Sequence, residues 1–274
     1  MNDKYPYNFS EKVAVVVGGT GVLCGAMATA LGECNAKVAV LGRNMGKADR
    51  IVAEIQRGGG EALPVKIEVT DKSSIEAAAG QVIDAFDRVD VLINGAGGTT
   101  SEATTSNDLS FFGLSADAMR YVFDLNCLGT ILCSQVFGEK MVEQGSGCII
   151  NISSMSAFRP LTRNIAYSAA KAAVSNFTQW LAVHMSQNYS NAIRVNAIAP
   201  GFFITDQNRF LLMDEITNEP TERARDILAH TPMGRFGEPD DLIGTALWLV
   251  SDGSSFVNGA IIPVDGGFSA FSGV

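Results

Sequence analysis

The first forty residues contain the pattern that most restricts how this chain can fold. A continuous apolar run rich in β-branched residues, Val13–Val17, is typical of a strand buried on both faces. It is followed by the glycine-rich stretch GGTGVLCG, by the helical pattern of AMATALGECNA, and by a second apolar run, KVAVL. A strand, a glycine turn, a helix and a strand within about 30 residues form the context that a dinucleotide-binding turn requires. The pattern therefore predicts a turn that binds a pyrophosphate at a helix amino terminus. A glycine-rich turn without a ligand is the alternative.

The same alternation of strand and helix continues to the end of the chain. Further strands are predicted at residues 62–69, 89–93, 148–152, 193–199 and 260–264, with helical patterns between them. Alternating strands and helices predict an α/β fold, a single-domain Rossmann-type doubly wound sheet of seven parallel strands with helices on both faces. No linker divides the chain, so we predict one domain over residues 1–274. Its dinucleotide-binding core would span residues 11–200 and 240–267, and residues 202–239 would form a substrate lid.

The charge of the chain narrows the range of partners. The net charge is −9 and no basic run is present, which disfavours nucleic acid and anionic membranes as partners. No apolar stretch reaches the roughly 18 residues of a membrane span, and the amino terminus lacks a signal-peptide pattern. The five cysteines have no metal-ligand spacing, so we expect reduced core thiols and no metal site. These features predict a cytoplasmic protein.

Three residues suit the transfer of a proton to a substrate oxygen. Ser154 follows the predicted strand 148–152, and Tyr167 and Lys171 lie four residues apart in Ala-rich, helical sequence, so the phenol and the ammonium share one helix face. A free phenol has a pKa near 10, and a neighbouring cation lowers it. With the serine hydroxyl holding the oxygen, this set suits proton transfer as a hydride reaches the adjacent carbon. The alternative for Tyr167 is an amphipathic core residue with an exposed hydroxyl.

Several of these motifs are predicted to meet at one edge of the sheet. The glycine turn, the turn after Asn94, Ser154 and the turn Pro200-Gly201 all follow predicted strands, and ligands of open parallel sheets bind outside the carboxyl ends of the strands. Asn126 interrupts the apolar helical pattern of residues 116–138. Either it has a local backbone partner, or it marks a kink that lends its amide to a proton or water path.

Taken together, these residues resemble the classical short-chain dehydrogenase/reductases from residue 13 to about residue 267. The matching marks are the strand and glycine turn, NGAG at residues 94–97, Asn126, Ser154, Tyr167, Lys171, the PG turn with Thr205, and PVDGG near the end. The resemblance implies that Ser154 orients the substrate oxygen and that Tyr167 is the acid/base. It implies that Lys171 holds the nicotinamide ribose and lowers the tyrosine pKa, that Asn126 anchors a proton relay, and that the protein is a homotetramer or homodimer.

The resemblance also implies a set of cofactor-binding residues. They are Gly19, Thr20, Gly21, Val22, Leu23, Gly25, Arg43, Asn44, Glu68, Val69, Asn94, Gly95, Ala96, Gly97, Tyr167, Lys171, Pro200, Gly201, Phe203 and Thr205. The chain departs from the family pattern at three positions in this set or beside it: Gly18 stands where threonine is usual, Leu23 replaces the middle glycine of the turn, and Gly95 replaces an asparagine.

The choice between NAD and NADP depends on the end of the second strand. This strand ends in LGRN and lacks the acidic residue that would accept hydrogen bonds from the adenosine ribose. Arg43 is positioned to face a 2′-phosphate instead, which favours NADP over NAD as the cofactor. A solvated loop arginine is the alternative.

The substrate prediction rests on a closer resemblance. VVGGTGVLCGAMA, PGFFITDQNRFLL, HTPMGRFGEP and VDGGFSAFSGV resemble a narrower group, the D-mannonate oxidoreductases, also called fructuronate reductases. This resemblance implies interconversion of D-fructuronate and D-mannonate, a small sugar acid. Another keto substrate (gluconate-type or a 3-oxoacyl thioester) and a non-catalytic regulatory role are the alternatives.

We expect the substrate pocket to lie between the loop after Ser154, the long connection at residues 98–114, and the lid. A carboxylate in a closed pocket favours the planar guanidinium of arginine as its partner. The candidate substrate-binding residues are Ser154, Arg159, Arg163, Asn208 and Arg209, with Arg209 the first choice.

Overall fold

The computed structural model describes residues 5–205, 209–214 and 217–273. Its strands are β1 (Val13–Val17), β2 (Lys37–Gly42), β3 (Ala62–Lys66), β4 (Val91–Asn94), β5 (Gly147–Ile152), β6 (Ile193–Pro200) and β7 (Ile261–Val264). All of them are parallel, in the order β3-β2-β1-β4-β5-β6-β7. The predicted seven-stranded, doubly wound parallel sheet is therefore confirmed.

Helices connect the strands and cover both faces of the sheet. They are α1 (Val22–Glu33), α2 (Met45–Arg57), α3 (Lys72–Phe86), α4 (Ala116–Phe123), α5 (Gly129–Gln144), α6 (Ile165–Asn188), α7 (Arg209–Leu212), α8 (Glu222–Ala229) and α9 (Asp240–Val250). Among the described residues, no helix combines the length and the apolar character that a membrane crossing would need.

The apolar residues of β1 explain why the sheet needs a helix layer on each face. Ala14 and Val16 pack into one buried cluster with residues of α1 and α9, such as Leu31 and Leu247. Val13, Val15 and Val17 point the other way, into a cluster formed with α3, α5 and α6. Side chains alternate between the two faces of a strand. A strand that is apolar at every position is therefore stable only when both faces are covered.

Local hydrogen bonds and one irregular turn set the ends of several elements. The third strand ends at Lys66, before the predicted residue 69, because the backbone N–H of Glu68 leaves the sheet and donates to Ser74 Oγ. The predicted helix 116–138 is split by one π-helical turn, Asp124–Leu128. The side chain that caps α3 is Asp71, which accepts from the N–H of Ser73 at 2.9 Å.

The register of the central strands brings their carboxyl ends to one level. Asn94 of β4 is opposite Val17 of β1 and Asn151 of β5, and Ile152 is opposite Ile198 of β6. The buried Asn94 amide donates to Asn151 Oδ1 at 2.9 Å, and Asn151 donates to Thr178 Oγ1 on α6 at 2.9 Å. This chain of buried hydrogen bonds ties β4 and β5 to the helix that carries Tyr167 and Lys171.

Candidate active site

Ser154, Tyr167 and Lys171 meet where β5 ends and α6 begins. Ser154 caps a short turn by accepting from the N–H of Ser156 at 3.1 Å, which fixes its hydroxyl just beyond the strand. A hydrogen bond joins Ser154 to the hydroxyl of Tyr167. The Lys171 ammonium lies 5.7 Å from the centre of the Tyr167 ring, as the four-residue spacing on one helix face requires.

Lys171 is a buried cation. The residue is only 3% exposed, and its Nζ donates to the carbonyl oxygen of Ile152 at 2.7 Å. Burial lowers the pKa of Lys171 to about 8, and the neighbouring thiols of Cys24 and Cys127 act in the opposite direction. An ammonium with so low a pKa exchanges its proton near neutral pH.

The pKa of Tyr167 differs from the expectation that Lys171 would lower it. Burial raises the pKa of the phenol above its ordinary value, while the hydrogen bond with Ser154 lowers it. Desolvation dominates because the ionised phenolate loses more hydration than one hydrogen bond returns. The Lys171 ammonium is bonded to the Ile152 carbonyl and lies over the ring. The expected lowering by Lys171 is therefore wrong for this cofactor-free arrangement.

Asn126 lies in the π-helical turn and is fully buried, with 0% exposure. Its amide donates to the carbonyl of Gly98 at 2.7 Å and to that of Val122 at 2.8 Å, and its Oδ1 accepts from the N–H of Gly98 at 3.1 Å. The local backbone partner that the sequence left open is thus present. The same side chain also fixes the start of the connection 98–114 beside Lys171, because a Cβ on Gly97 would lie 3.3 Å from Lys171 Nζ.

The glycine turn fits an anionic phosphate group. In α1, which is described throughout, no side chain caps the amino terminus and no acidic residue occupies the first turn. The first N–H groups of a helix have no partner within it, so they attract an anion. Gly18 has a left-handed backbone, φ 75°, and a Cβ there would lie 2.7 Å from the backbone nitrogen of Ala96. The usual threonine is therefore excluded at this position.

Most of the predicted cofactor residues line one groove along the strand ends. Two adjoining cavities of about 140 and 310 Å³ form this cofactor groove. Its predicted members are Thr20, Gly21, Val22, Leu23, Arg43, Asn44, Glu68, Val69, Gly95, Ala96, Gly97 and Thr205. Gly25 lines a separate groove beside α1. Three other predicted residues are buried and do not line the groove: Gly19, Asn94 and Lys171.

The other two departures from the family pattern are also accommodated. A Cβ on Gly95 would collide with the thiol of Cys24, so Cys24 occupies the space that a side chain at position 95 would need. Leu23 lines both the cofactor groove and the cavity beside Ser154. Its side chain therefore stands at the border of the two spaces, where a glycine would leave them more open.

Arg43 lies at the end of β2, in the cofactor groove. Its side chain is 63% exposed, and its Nη1 is 3.3 Å from Tyr121 Oη and 3.9 Å from Glu68 Oε2. The distance to Glu68 is too long for a hydrogen bond, so the guanidinium is only loosely held.

A second cavity, of about 240 Å³, contains Ser154 and Tyr167 and is called here the substrate cavity. The loop after β5, the connection 98–114 and residues 202–239 all contribute to it; the lining residues include Thr99, Met155, Leu161, Asn164, Pro200, Gly201, Phe202, Phe203 and Thr205. It shares Leu23, Ile152 and Thr205 with the cofactor groove.

The structure brings few of the predicted carboxylate-binding residues into this cavity. Arg159 and Arg163 are exposed on the loop after β5 and do not line it. Arg209, the first choice, is exposed, donates to Asn218 Oδ1 at 2.6 Å and does not line the cavity. Asn208 lies outside the described residues.

The sequence interpretation missed one cation, Arg223 of α8, which does line the cavity. The charged stretch TERARDILAH contained the signal. Which of its arginines faces inward depends on how α8 packs.

Comparison with known proteins agrees with this geometry. Residues 22–269 match the family model described as enoyl-(acyl carrier protein) reductase. UxuB of Bacillus subtilis, an uncharacterised oxidoreductase, is 47% identical over 276 residues, which cover 97% of this chain and 98% of that protein. A Haemophilus influenzae structure with bound NAD, described provisionally as a D-mannonate oxidoreductase, is 46% identical, covers 98% of both chains and has a TM-score of 0.92. The 3-oxoacyl-[acyl-carrier-protein] reductase of Synechocystis is 34% identical over 264 residues, covering 96% of this chain and 98% of that protein. The chain belongs to the short-chain dehydrogenase/reductase family and is an NAD(P)-dependent oxidoreductase.

Proposed function

We propose that this enzyme interconverts a ketone and a secondary alcohol on a small sugar acid, with D-fructuronate and D-mannonate as the pair. The observation that carries the proposal is the position of Ser154 and Tyr167. Both line the substrate cavity, and they are hydrogen-bonded to each other where that cavity joins the cofactor groove. A carbonyl oxygen bound there would lie against a hydroxyl pair, with its carbon directed toward the groove.

The protein's own residues supply the proton chemistry. The residues of the cofactor groove would hold a nicotinamide cofactor, which when bound would supply the hydride chemistry at the substrate carbon. Ser154 holds the substrate oxygen, and Tyr167 donates its proton to that oxygen during reduction and takes it back during oxidation. Lys171 lies next to Tyr167, and its pKa of about 8 allows it to pass a proton toward the phenol near neutral pH. Asn126 holds Gly98 and the π-helical turn in place beside Lys171.

The substrate cavity is small, and its largely apolar wall carries a few polar groups. A volume of about 240 Å³ lies below the range of about 300–1,000 Å³ that is usual for drug-sized ligands. Thr99, Ser154 and Asn164 place hydroxyl and amide groups on its wall, where they can bind the hydroxyls of a sugar. The Haemophilus relative adds support, since 46% identity extends over nearly all of both chains.

For the cofactor, we propose that the enzyme accepts both NADH and NADPH, with a modest preference for NADPH. Arg43 lies in the cofactor groove, where a 3.3 Å hydrogen bond to Tyr121 and a 3.9 Å ion pair with Glu68 would have to yield for it to bind a 2′-phosphate. No acidic side chain of β2 occupies the position that would repel that phosphate. Glu68, 3.9 Å from Arg43, acts in the opposite direction because its carboxylate would repel the phosphate. The two effects together limit the preference.

We also propose that residues 202–239 form a substrate lid on an otherwise undivided domain. In its described residues this segment packs Leu212, Ala224 and Ile227 into a small cluster. A β-bridge joins Phe203 to Gly237 at its base, where Phe203 also packs into one of the main cores. A segment with its own small core and few ties to the sheet can move without disturbing the strands.

The test of the proposed activity is Tyr167→Phe, with Tyr189→Phe as the control. Tyr189 is an exposed tyrosine at the far end of α6. Oxidation of NADH and NADPH is measured with a panel of keto acids, keto sugars and 3-oxoacyl thioesters. We expect turnover of keto-uronates, a loss of at least about 100-fold in Tyr167→Phe with cofactor affinity retained, and no loss in the control.

Three results would contradict this proposal. Near-native turnover in Tyr167→Phe would remove the phenol from the mechanism. A wild-type protein that binds cofactor but reduces none of the compounds would favour a regulatory role, and a preference for thioesters would change the substrate class.

A further inference from the structure

The substrate cavity has a cation that neither catalysis nor cofactor binding uses. Arg223 is the second residue of α8 and is half-buried in the cavity wall. It is the one Arg or Lys among the described residues that line this cavity. Its Nη1 donates to Thr162 Oγ1 at 3.3 Å, which orients the guanidinium across the gap between segment 202–239 and the loop after β5.

The positive charge of a second arginine, Arg163 on the loop after β5, acts on Arg223. Burial lowers the pKa of Arg223, the positive charge of Arg163 lowers it further, and Asp226 acts weakly in the opposite direction. Arg163 has a left-handed backbone, φ 78°, and its carbonyl accepts from the N–H of Thr105 at 3.1 Å. The connection 98–114 therefore holds the backbone of Arg163 in a conformation that residues other than glycine seldom adopt.

In the part of the chain that the structure describes, no carboxylate forms an ion pair with either arginine. Two guanidinium groups near each other repel, and partial burial of one of them strengthens the repulsion. An anion placed between them would remove this unfavourable energy. A guanidinium binds a carboxylate through two parallel hydrogen bonds, which fixes both distance and orientation.

We propose that Arg223, assisted by Arg163, binds the carboxylate of the substrate in the wall of the substrate cavity. The proposal rests on the proposed function and names the residues that select a sugar acid over a sugar. Ser154 and Tyr167 hold the reacting oxygen in the same cavity, so the two anchor points orient the substrate along it. A neutral ketone of the same length would leave the arginine pair without a counterion and would bind more weakly.

The experiment compares a keto-uronate with the matching uncharged ketohexose in four variants. Arg223→Gln and Arg163→Gln remove each charge, Arg223→Lys keeps the charge without the planar fork, and Arg225→Gln is the control. Arg225 is on the same helix, is exposed, and donates to the carbonyl of Pro220 at 2.7 Å. Steady-state kinetics give KM and kcat for both substrates, and thermal melting verifies that each variant is folded.

We expect Arg223→Gln to raise the KM for the keto-uronate about 10- to 100-fold, because charge-assisted hydrogen bonds are lost. The KM for the uncharged sugar should stay within about twofold, and the loss should be smaller in Arg163→Gln. Arg223→Lys should recover part of the affinity, and Arg225→Gln should match the wild type. As a second measurement, inhibition by the reduced sugar acid should weaken in Arg223→Gln while inhibition by the uncharged alditol does not.

The outcomes separate this proposal from the proposed function. Suppose that the wild-type enzyme reduces keto-uronates efficiently, and that Arg223→Gln changes the KM for both substrates equally or for neither. This result overturns the role of Arg223 and leaves the proposed function standing. A wild-type enzyme that reduces other ketones but no keto acid overturns the proposed substrate, and the carboxylate site with it. If Arg223→Gln does not fold, Arg223→Lys and Arg163→Gln decide the question by the same comparison.

Discussion

Lys171 provides a quantitative test of the active-site geometry, because a buried cation makes the stability of the cofactor-free protein depend on pH. Its pKa is 10.5 in an unfolded chain and about 8 in the folded protein. Between these values the unfolded state binds more protons at this residue than the folded state. Stability therefore rises as the pH rises from about 8 to 10.5, and the contribution of the neutral amine is lost as the pH falls through about 8.

The size of the effect follows from the two pKa values. The interval from 10.5 to about 8 corresponds to about 3 kcal/mol of unfolding free energy. Lys171→Met removes the charge and keeps an unbranched side chain of similar length. Loss of the bond to the Ile152 carbonyl adds a destabilisation that does not depend on pH.

The assay is urea unfolding of the cofactor-free wild type and of Lys171→Met at several values from about pH 7 to about pH 10.5, at one protein concentration. Two buried thiols, Cys24 and Cys133, oppose the effect of Lys171. Burial raises the pKa of each from 9.0 to about 12, so these thiols lower the unfolding free energy as the pH rises above about 9. They are present in both proteins, so the difference between the two curves reports Lys171 together with its interaction with Cys24. We expect the wild type to gain about 3 kcal/mol relative to the variant across this range.

Parallel curves would refute this reasoning, since they would show that Lys171 is hydrated or paired with an anion. A difference of the opposite sign would mean that the folded state stabilises the ammonium. In that case Lys171 would act as a fixed cation, and its ability to exchange a proton near neutral pH would have to be given up.

Three further predictions concern the residues around this centre. In steady-state kinetics, Arg43→Ala should lower kcat/KM for NADPH about tenfold and leave kcat/KM for NADH nearly unchanged, whereas Glu68→Gln should raise kcat/KM for NADPH. Equal effects on both cofactors would mean that Arg43 is a surface arginine without a role in cofactor choice. Asn126→Ala should reduce the unfolding free energy by about 2–4 kcal/mol in urea titrations, because the buried backbone groups of Gly98 and Val122 lose their partner. Gly95→Ala should lower the melting temperature, and Cys24→Ala in the same chain should restore part of the loss if their side chains compete for one space.

The sheet and the placement of the catalytic residues were predictable because they depend on short-range patterns. Buried parallel strands are apolar along their whole length, as in Val13–Val17, and ligands bind at their carboxyl ends. Ser154 and the turn that begins at Gly95 follow such strands. The boundary of β3 was less predictable, because the chain leaves the sheet where Ser74, six residues further along, accepts the N–H of Glu68.

The pKa of Tyr167 could not be obtained from its spacing to Lys171. Four residues on a helix place the ammonium near the ring, but its direction depends on the nearest strong acceptor, which is the carbonyl of Ile152 on the neighbouring strand. Which arginine of segment 202–239 faces the cavity also depends on tertiary contacts that the local sequence pattern does not contain. Arg209 and Arg223 belong to two short helices of one segment, and their directions follow from the packing of Leu212, Ala224 and Ile227.

The residues proposed for proton transfer and the residue proposed for substrate selection belong to different parts of the fold. Tyr167 and Lys171 are held by the strands and by α6, through bonds such as that of Lys171 to Ile152 and that of Asn151 to Thr178. Arg223 belongs to segment 202–239, whose small cluster is distinct from the two main cores. A change at Arg223 should therefore act through KM and leave the proton transfer at Tyr167 intact, because it alters how the substrate is bound without moving the phenol. The same separation allows a new lid to be placed on an unchanged sheet, and a different substrate then requires only that its own anchor point lie opposite Ser154.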